Sequence, residues 1–204
     1  MTSSSRALVV PPADSGKKLA DALLDLVARV PGTDEAAHSH PHARALAIGR
    51  SAARQASLVA GSMALPPGLL GWLTLLPELL TVWRLQAQMV SDIAGVYGKS
   101  ATLNREQMLY CLFKHLGAQL FRDVVVRAGE RMLIRQASAG VLQALVHKLG
   151  IKVSQGLVGK GASRLVPLVG AVGVGAYAYF DTRQVAKTAV DLFSSDLVID
   201  VPAA

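Results

Sequence analysis

One cysteine, Cys111, stands among 204 residues, so the chain can form no internal disulfide. Its helical neighbours are apolar, and it reads as a small buried side chain in a reducing compartment. Aromatic residues are scarce at 5%. That leaves little surface for stacking on bases, and no zinc-finger or RNP-like pattern accompanies it, so no nucleic-acid partner is expected. Charged residues make up only 17%, against roughly 25% in ordinary domains. Catalytic signatures are missing too. There is no H-E-x-x-H, no paired-cysteine spacing and no Ser–His–acid order. Lys99 and Ser100 follow Gly98, but Ile93 stands where a phosphate loop needs its first glycine. No cofactor and no enzymatic activity are therefore expected. The short apolar run Ala7–Val10 falls below the roughly 7–15 residues of a secretory leader. The expected location is the cytoplasm, peripherally on a membrane.

What the chain does have is apolar weight without aromatics. Hydrophobic residues make up 51% and the mean hydropathy is +0.38. From Ser57 to Trp83 the only charged residue is Glu78, and from Leu165 to Phe180 there is none. Pro66-Pro67-Gly68, Pro77 and Pro167 interrupt these runs. Leu165–Phe180 amounts to roughly 24 Å of helix against a hydrocarbon core of about 30 Å. Simple membrane-spanning helices are thereby disfavoured. Burial in a core, or shallow contact with lipid, remains.

Helical spacing organises most of the chain. Leu19, Leu23, Leu26, Val27 and Val30 predict a first helix from Asp14 or Ser15 to about Val30, ended by Pro31-Gly32. Pro41 is placed to open a second helix to about Ala64. Ala45, Ala52, Ala56 and Ala60 share one face, where a partner helix could approach closely. Leu69–Leu76 reads as an apolar connection, with Pro77 in the first turn of a third helix that Gly98 ends. Asn104 and Gln107 predict a capping box for a fourth helix, through about Leu116. The pattern from Gln119 to Leu149 reads as helical, with a break near Ala139-Gly140. Gly150, Gly156, Gly159 and Gly161 mark a looser stretch. Pro167 opens a further helix, and Asp181 with Gln184 reads as the cap of a last one, Thr182–Phe193. No period-2 strand stands out. The fold class is all-α, a compact multi-helix bundle with Gly/Pro-interrupted apolar helices. Residues 1–13 read as a flexible arm, 14–193 as one domain and 194–204 as a loose tail.

Four groups of residues are candidate sites. Between Arg122 and Arg164 lie eight cations and two anions, nearly the whole net +7. Within that segment Arg127, Arg131, Arg135, Lys148, Lys152, Lys160 and Arg164 are mixed with aliphatic residues. They suit an anionic membrane surface with snorkelling cations, or an amphipathic helix packed on its own core. Arg84, Gln88 and Asp92 recur every fourth residue and form a polar ridge, either lining a cleft or facing solvent. His38, His40 and His42 are candidate metal ligands beside Asp34 and Glu35, though alternate spacing in a proline-containing loop also fits a plain polar or pH-sensitive patch. Gly170, Gly173 and Gly175 each cost about 0.5–1 kcal/mol inside a helix relative to alanine. Close packing, expected against the Pro77–Tyr97 helix, is the reason they would be there.

Leu65-Pro-Pro-Gly-Leu-Leu-Gly-Trp72, then Leu76-Pro-Glu-Leu-Leu80 and Asp92-Ile-Ala-Gly-Val-Tyr-Gly98, resemble the EcsC family. So do Val166-Pro-Leu-Val-Gly-Ala-Val-Gly-Val-Gly175 and Asp181-Thr-Arg183 with the helix to Phe193. The likeness spans roughly Ala45 to Phe193. It implies a bacterial helical protein with no known catalytic residues. The expected partner is an anionic membrane surface or a membrane protein. The alternatives are a soluble protein-interaction domain, or a metalloprotein or hydrolase built on the histidine loop.

Overall fold

Six α-helices and a two-stranded hairpin form the computed structural model, which describes residues 15–63, 71–121, 124–128, 131–134, 137–158 and 167–195. The class is all-α, with helices packed on helices. The arm at 1–13 and most of the 194–204 tail lie outside the described residues.

α1 (Ser15–Ala28) and α5 (Ala139–Val158) pack chiefly on each other. Leu19, Leu23 and Val27 on α1, and Leu142, Leu145, Val146 and Leu149 on α5, fall at spacings of three and four and are all buried. α5 runs on through Gly150 and Gly156, so the looser stretch expected there is helix as far as Val158. Gly150 is buried, and packing of the apolar stripe outweighs its low helix propensity.

α2 (Pro41–Met63), α3 (Gly71–Val96) and α6 (Pro167–Ser194) form a three-helix layer. The alanine face of α2 finds its partner in α6. Ala45, Ala52, Ala56 and Ala60 are buried. A Cβ on Gly49 would stand 2.8 Å from Ala186 Cβ, and one on Gly175 would stand 2.9 Å from the carbonyl of Ser57. These two approaches make α2 and α6 antiparallel. Gln86 donates to Thr182, and Lys99 donates to the carbonyls of Phe193 and Ser195. α3 and α6 therefore run parallel.

Three expected boundaries are corrected. α3 begins at Gly71, so Leu69–Leu76 is mostly helix and Pro77 lies inside it. A proline inside a helix costs one backbone bond, but Pro77 is exposed, and the rest of this helix packs on two neighbours and continues. α6 is one helix, so Asp181 and Gln184 do not cap a separate one. An Asp-x-x-Gln pattern caps only where the chain turns, and here it does not. The expected helix from Gln119 is instead a 3-10 turn at Ala118–Phe121 and a hairpin, β1 (Val125–Ala128) with β2 (Arg131–Ile134). The strands are antiparallel, with Val125 opposite Ile134 and Ala128 opposite Arg131. The β-branched run Val124-Val125-Val126 favours the extended form.

Other boundaries fall where expected. Val96 ends α3, and Gly98 (φ 70°) closes it in a Schellman motif, with Gly98 N–H on Gly95 and Lys99 N–H on Ala94. Asn104 and Gln107 form both bonds of the capping box on α4 (Arg105–Phe113). A 3-10 turn then reaches Leu116. α4 is buried almost throughout. Trp83 meets Phe113 edge-on at 5.3 Å, and Tyr110 meets Phe121 at 5.4 Å. These contacts join the three-helix layer to the α1–α5 pair in one continuous core.

Candidate functional site: an uncharged end and the arginines below it

The helix directions gather three uncharged segments at one end of the layer. The last turns of α2 (from Gln55), the first turns of α3 (to Pro77) and the first half of α6 (to Phe180) all point the same way. Together with Glu78–Trp83 on α3, they carry one charged residue, Glu78. Pro167–Phe180 alone is about 21 Å of helix at 1.5 Å per residue. Large apolar side chains are exposed on the outer surface of this end, beside the polar Gln55 and Ser62. Leu58 is 74% exposed, Val172 73% and Phe180 67%, with Tyr177 half exposed beside them. Phe180 packs edge-on against Tyr179 at 5.6 Å. Burial, then the nearby Asp181, push the Tyr177 phenol above its ordinary pKa.

Beyond Glu78, charge returns on all three helices together. Arg54 on α2, Arg84 on α3 and Asp181 and Arg183 on α6 lie within about one helical turn of a common level, with Arg50 one turn below Arg54. The four arginines are exposed. Asp181 is turned inward: its Oδ1 lies 2.8 Å from His115 Nε2, and its Oδ2 accepts from Gln86 at 2.8 Å. The level therefore presents cations outward and keeps its carboxylate inside. On the outer face of α2, Ala47, Arg50, Ser51, Arg54, Gln55 and Leu58 line a shallow, open depression.

The candidates from the sequence are dispersed. His38, His40 and His42 are exposed and do not converge. His38 Nδ1 accepts from the His40 amide, His40 Nδ1 lies 3.2 Å from Ser39 Oγ, and His42 Nδ1 lies 3.5 Å from the Tyr97 hydroxyl. Among the described residues no group of three His, Cys, Asp or Glu side chains could hold a metal ion. The ridge holds the α1–α2 connection. Gln88 donates to Asp92 at 2.9 Å and to the Gly32 carbonyl at 2.8 Å, and Thr33 donates to Asp92 at 2.7 Å. Arg84, the third member, sits apart at the level described above. Arg44 forms a paired contact with Glu35 and holds that carboxyl below its ordinary pKa.

The basic segment is split by the fold. Arg127 and Arg131 fall on the two hairpin strands, and Lys148 and Lys152 on the exposed side of α5. Arg135, Lys160 and Arg164 lie outside the described residues. Of the three glycines, Gly175 packs against α2 rather than chiefly against α3, because Ser57 and Gly61 are its near neighbours. Gly173 is exposed and meets nothing within 4 Å. The surroundings of Gly170 lie outside the description. Arg50, Arg54 and Leu58 drew no attention in the sequence, because an Ala-rich helix with two arginines looks like any solvated face. Their signal was position, on the last charged turn before a long uncharged run.

Cys111 is fully buried on α4, which pushes its thiol far above the ordinary range. Among the described residues no helix is long and apolar enough to cross a membrane. No family model matches this chain, and comparison with curated proteins and with solved structures finds no match.

Proposed function

We propose that this chain is a non-enzymatic helical protein that docks on the cytoplasmic face of a membrane through the uncharged end of its α2–α3–α6 layer. The observation that carries the reading is the gathering of three uncharged helix segments at one end, with Leu58, Val172 and Phe180 exposed on them. Exposing such side chains to water is unfavourable by roughly 25 cal/mol per Å² of apolar area, so a covering partner is favoured. Pro167–Phe180 on α6 is about 21 Å of helix, long enough for one leaflet, which is about 15 Å of a hydrocarbon core about 30 Å thick. Interfacial proteins combine such an apolar face with adjoining cations. The lone buried cysteine suits the cytosolic side. The EcsC-like residue pattern is a further proposal of kinship and stands on its own residues.

Flotation on vesicles tests this. The full chain is expected to float with phosphatidylcholine–phosphatidylglycerol vesicles, and the Val172→Asp/Phe180→Asp variant to remain in the aqueous fraction. Failure of the unmodified chain to float on vesicles of any composition would sink the reading in favour of a protein partner for the same end.

A further inference from the structure

We infer that the depression on the outer face of α2 is a seat for the phosphate of an anionic phospholipid headgroup. This inference rests on the membrane reading above and gives it an address and a ligand class.

The argument starts from spacing. Arg50 and Arg54 are four residues apart, so their side chains leave one face of α2 one turn apart. Ser51 and Gln55 are interleaved with them and line the same depression. Two guanidinium groups, a hydroxyl and an amide provide donors from several directions, and a phosphate oxygen is the acceptor that such a set matches best. Arginine suits this role because its planar fork bonds phosphate in pairs while its stem lies on apolar surface.

Height decides between a lipid and a free anion. Leu58 closes the depression on the side of the apolar end, one turn or about 6 Å beyond Arg54. A headgroup phosphate at Arg50 and Arg54 would thus have its acyl chains beside Leu58, on the side where α2 carries no further charge. A free phosphate would gain nothing from Leu58. Arg84 and Arg183 lie near the same level on the other two helices, and Asp181 is engaged inward by His115 and Gln86. Anionic headgroups around the inserted end would therefore meet cations from all three helices. The Lys148–Lys152 pair belongs to α5, outside this layer.

Arginine-to-glutamine substitution at both positions separates this from its rivals. With the full chain on phosphatidylcholine–phosphatidylglycerol vesicles, Arg50→Gln/Arg54→Gln is expected to lower the partition coefficient about 20–30-fold, from about 1 kcal/mol per surface cation. Arg50→Lys/Arg54→Lys should keep most of the binding, and circular dichroism should show all variants equally helical. Lys148→Gln/Lys152→Gln is the control of equal charge, expected to change partition less than about threefold. A loss from the lysine control that equals or exceeds the arginine loss would overturn the inference and leave the membrane reading standing. So would displacement of the protein from vesicles by inorganic phosphate at matched ionic strength, which would make the seat one for a soluble anion. Gel filtration that shows a dimer dissolved by Arg50→Gln/Arg54→Gln would assign the face to a second copy and overturn it as well. No flotation of the unmodified chain on anionic or neutral vesicles would instead mean that the membrane reading itself had failed.

Discussion

Asp181 accepts from Gln86 through one carboxylate oxygen and faces His115 Nε2 through the other, each at 2.8 Å. Gln86 is 1% exposed, and the same amide nitrogen also donates to Thr182 at 3.0 Å. One carboxylate thus joins α3, α6 and the turn after α4 at the level where the uncharged half of α6 ends. Asp181→Asn keeps the shape and loses the charge. Asp181→Ala removes both acceptors and should cost about 1–3 kcal/mol, the usual penalty for polar groups left short of partners. Urea unfolding measures both. A loss from the alanine variant no greater than that of an exposed control such as Asp191→Ala would contradict the role assigned to this junction.

Two glycines on α6 should respond in opposite directions. Alanine at Gly175 would press Cβ against the carbonyl of Ser57 at 2.9 Å, a backbone atom that cannot swing aside. Overpacking of this kind costs about 1–3 kcal/mol. Alanine at Gly173 meets nothing within 4 Å and should stabilise by about 0.5–1 kcal/mol through helix propensity alone. Thermal unfolding of the two variants is the test, and a shift of the same sign in both would refute the close α2–α6 approach.

Acid should weaken the α1–α2 connection. Arg44 lowers the pKa of Glu35 in the folded chain, mainly by hydrogen bonding to its carboxylate. A carboxyl depressed in the folded state adds stability that is fully present above its ordinary pKa of about 4.3, and that fades as pH falls through the lower folded value. Glu35→Gln should therefore be less stable than the unmodified chain at neutral pH, by a small margin because the pair is exposed. The two unfolding midpoints should converge below about pH 4. A difference that persists or grows in acid would have the wrong sign.

Cys111 should resist thiol reagents. It is buried, and burial raises its pKa, so little thiolate is present and little of it is reachable. Titration with Ellman's reagent is expected to give no rapid reaction in buffer and one thiol in denaturant. Rapid labelling of the folded chain would place Cys111 at the surface.

Local grammar was legible wherever a boundary depended on neighbouring residues alone. Asn104 with Gln107, Gly98 after Val96 and Pro41 at the start of α2 each satisfy or remove backbone groups within one turn, and each stands where the residues indicate. Pro77 and Asp181 misled for the complementary reason. A proline and an Asp-x-x-Gln pattern are consistent with a helix start, but packing along α3 and α6 favoured continuity. The hairpin had a signal that helical periodicity obscured: Val124-Val125-Val126, and Gly129-Glu130 between two segments that pair. Glu106 also supports the region, accepting from the Ala137 amide at 3.0 Å after the second strand.

The sequence by itself determined that this is a helical protein rich in uncharged runs, because helical periodicity, capping and the scarcity of charge are properties of residues in order. Where those runs meet was decided only in three dimensions. α2 is antiparallel to both α3 and α6, so the end of one and the beginnings of two others come together, and arginines far apart in the chain reach one level. Hydrogen bonds and glycine contacts between helices set that register; the hydrogen bonds join residues 96 positions apart, and Gly49 and Ala186 meet across 137.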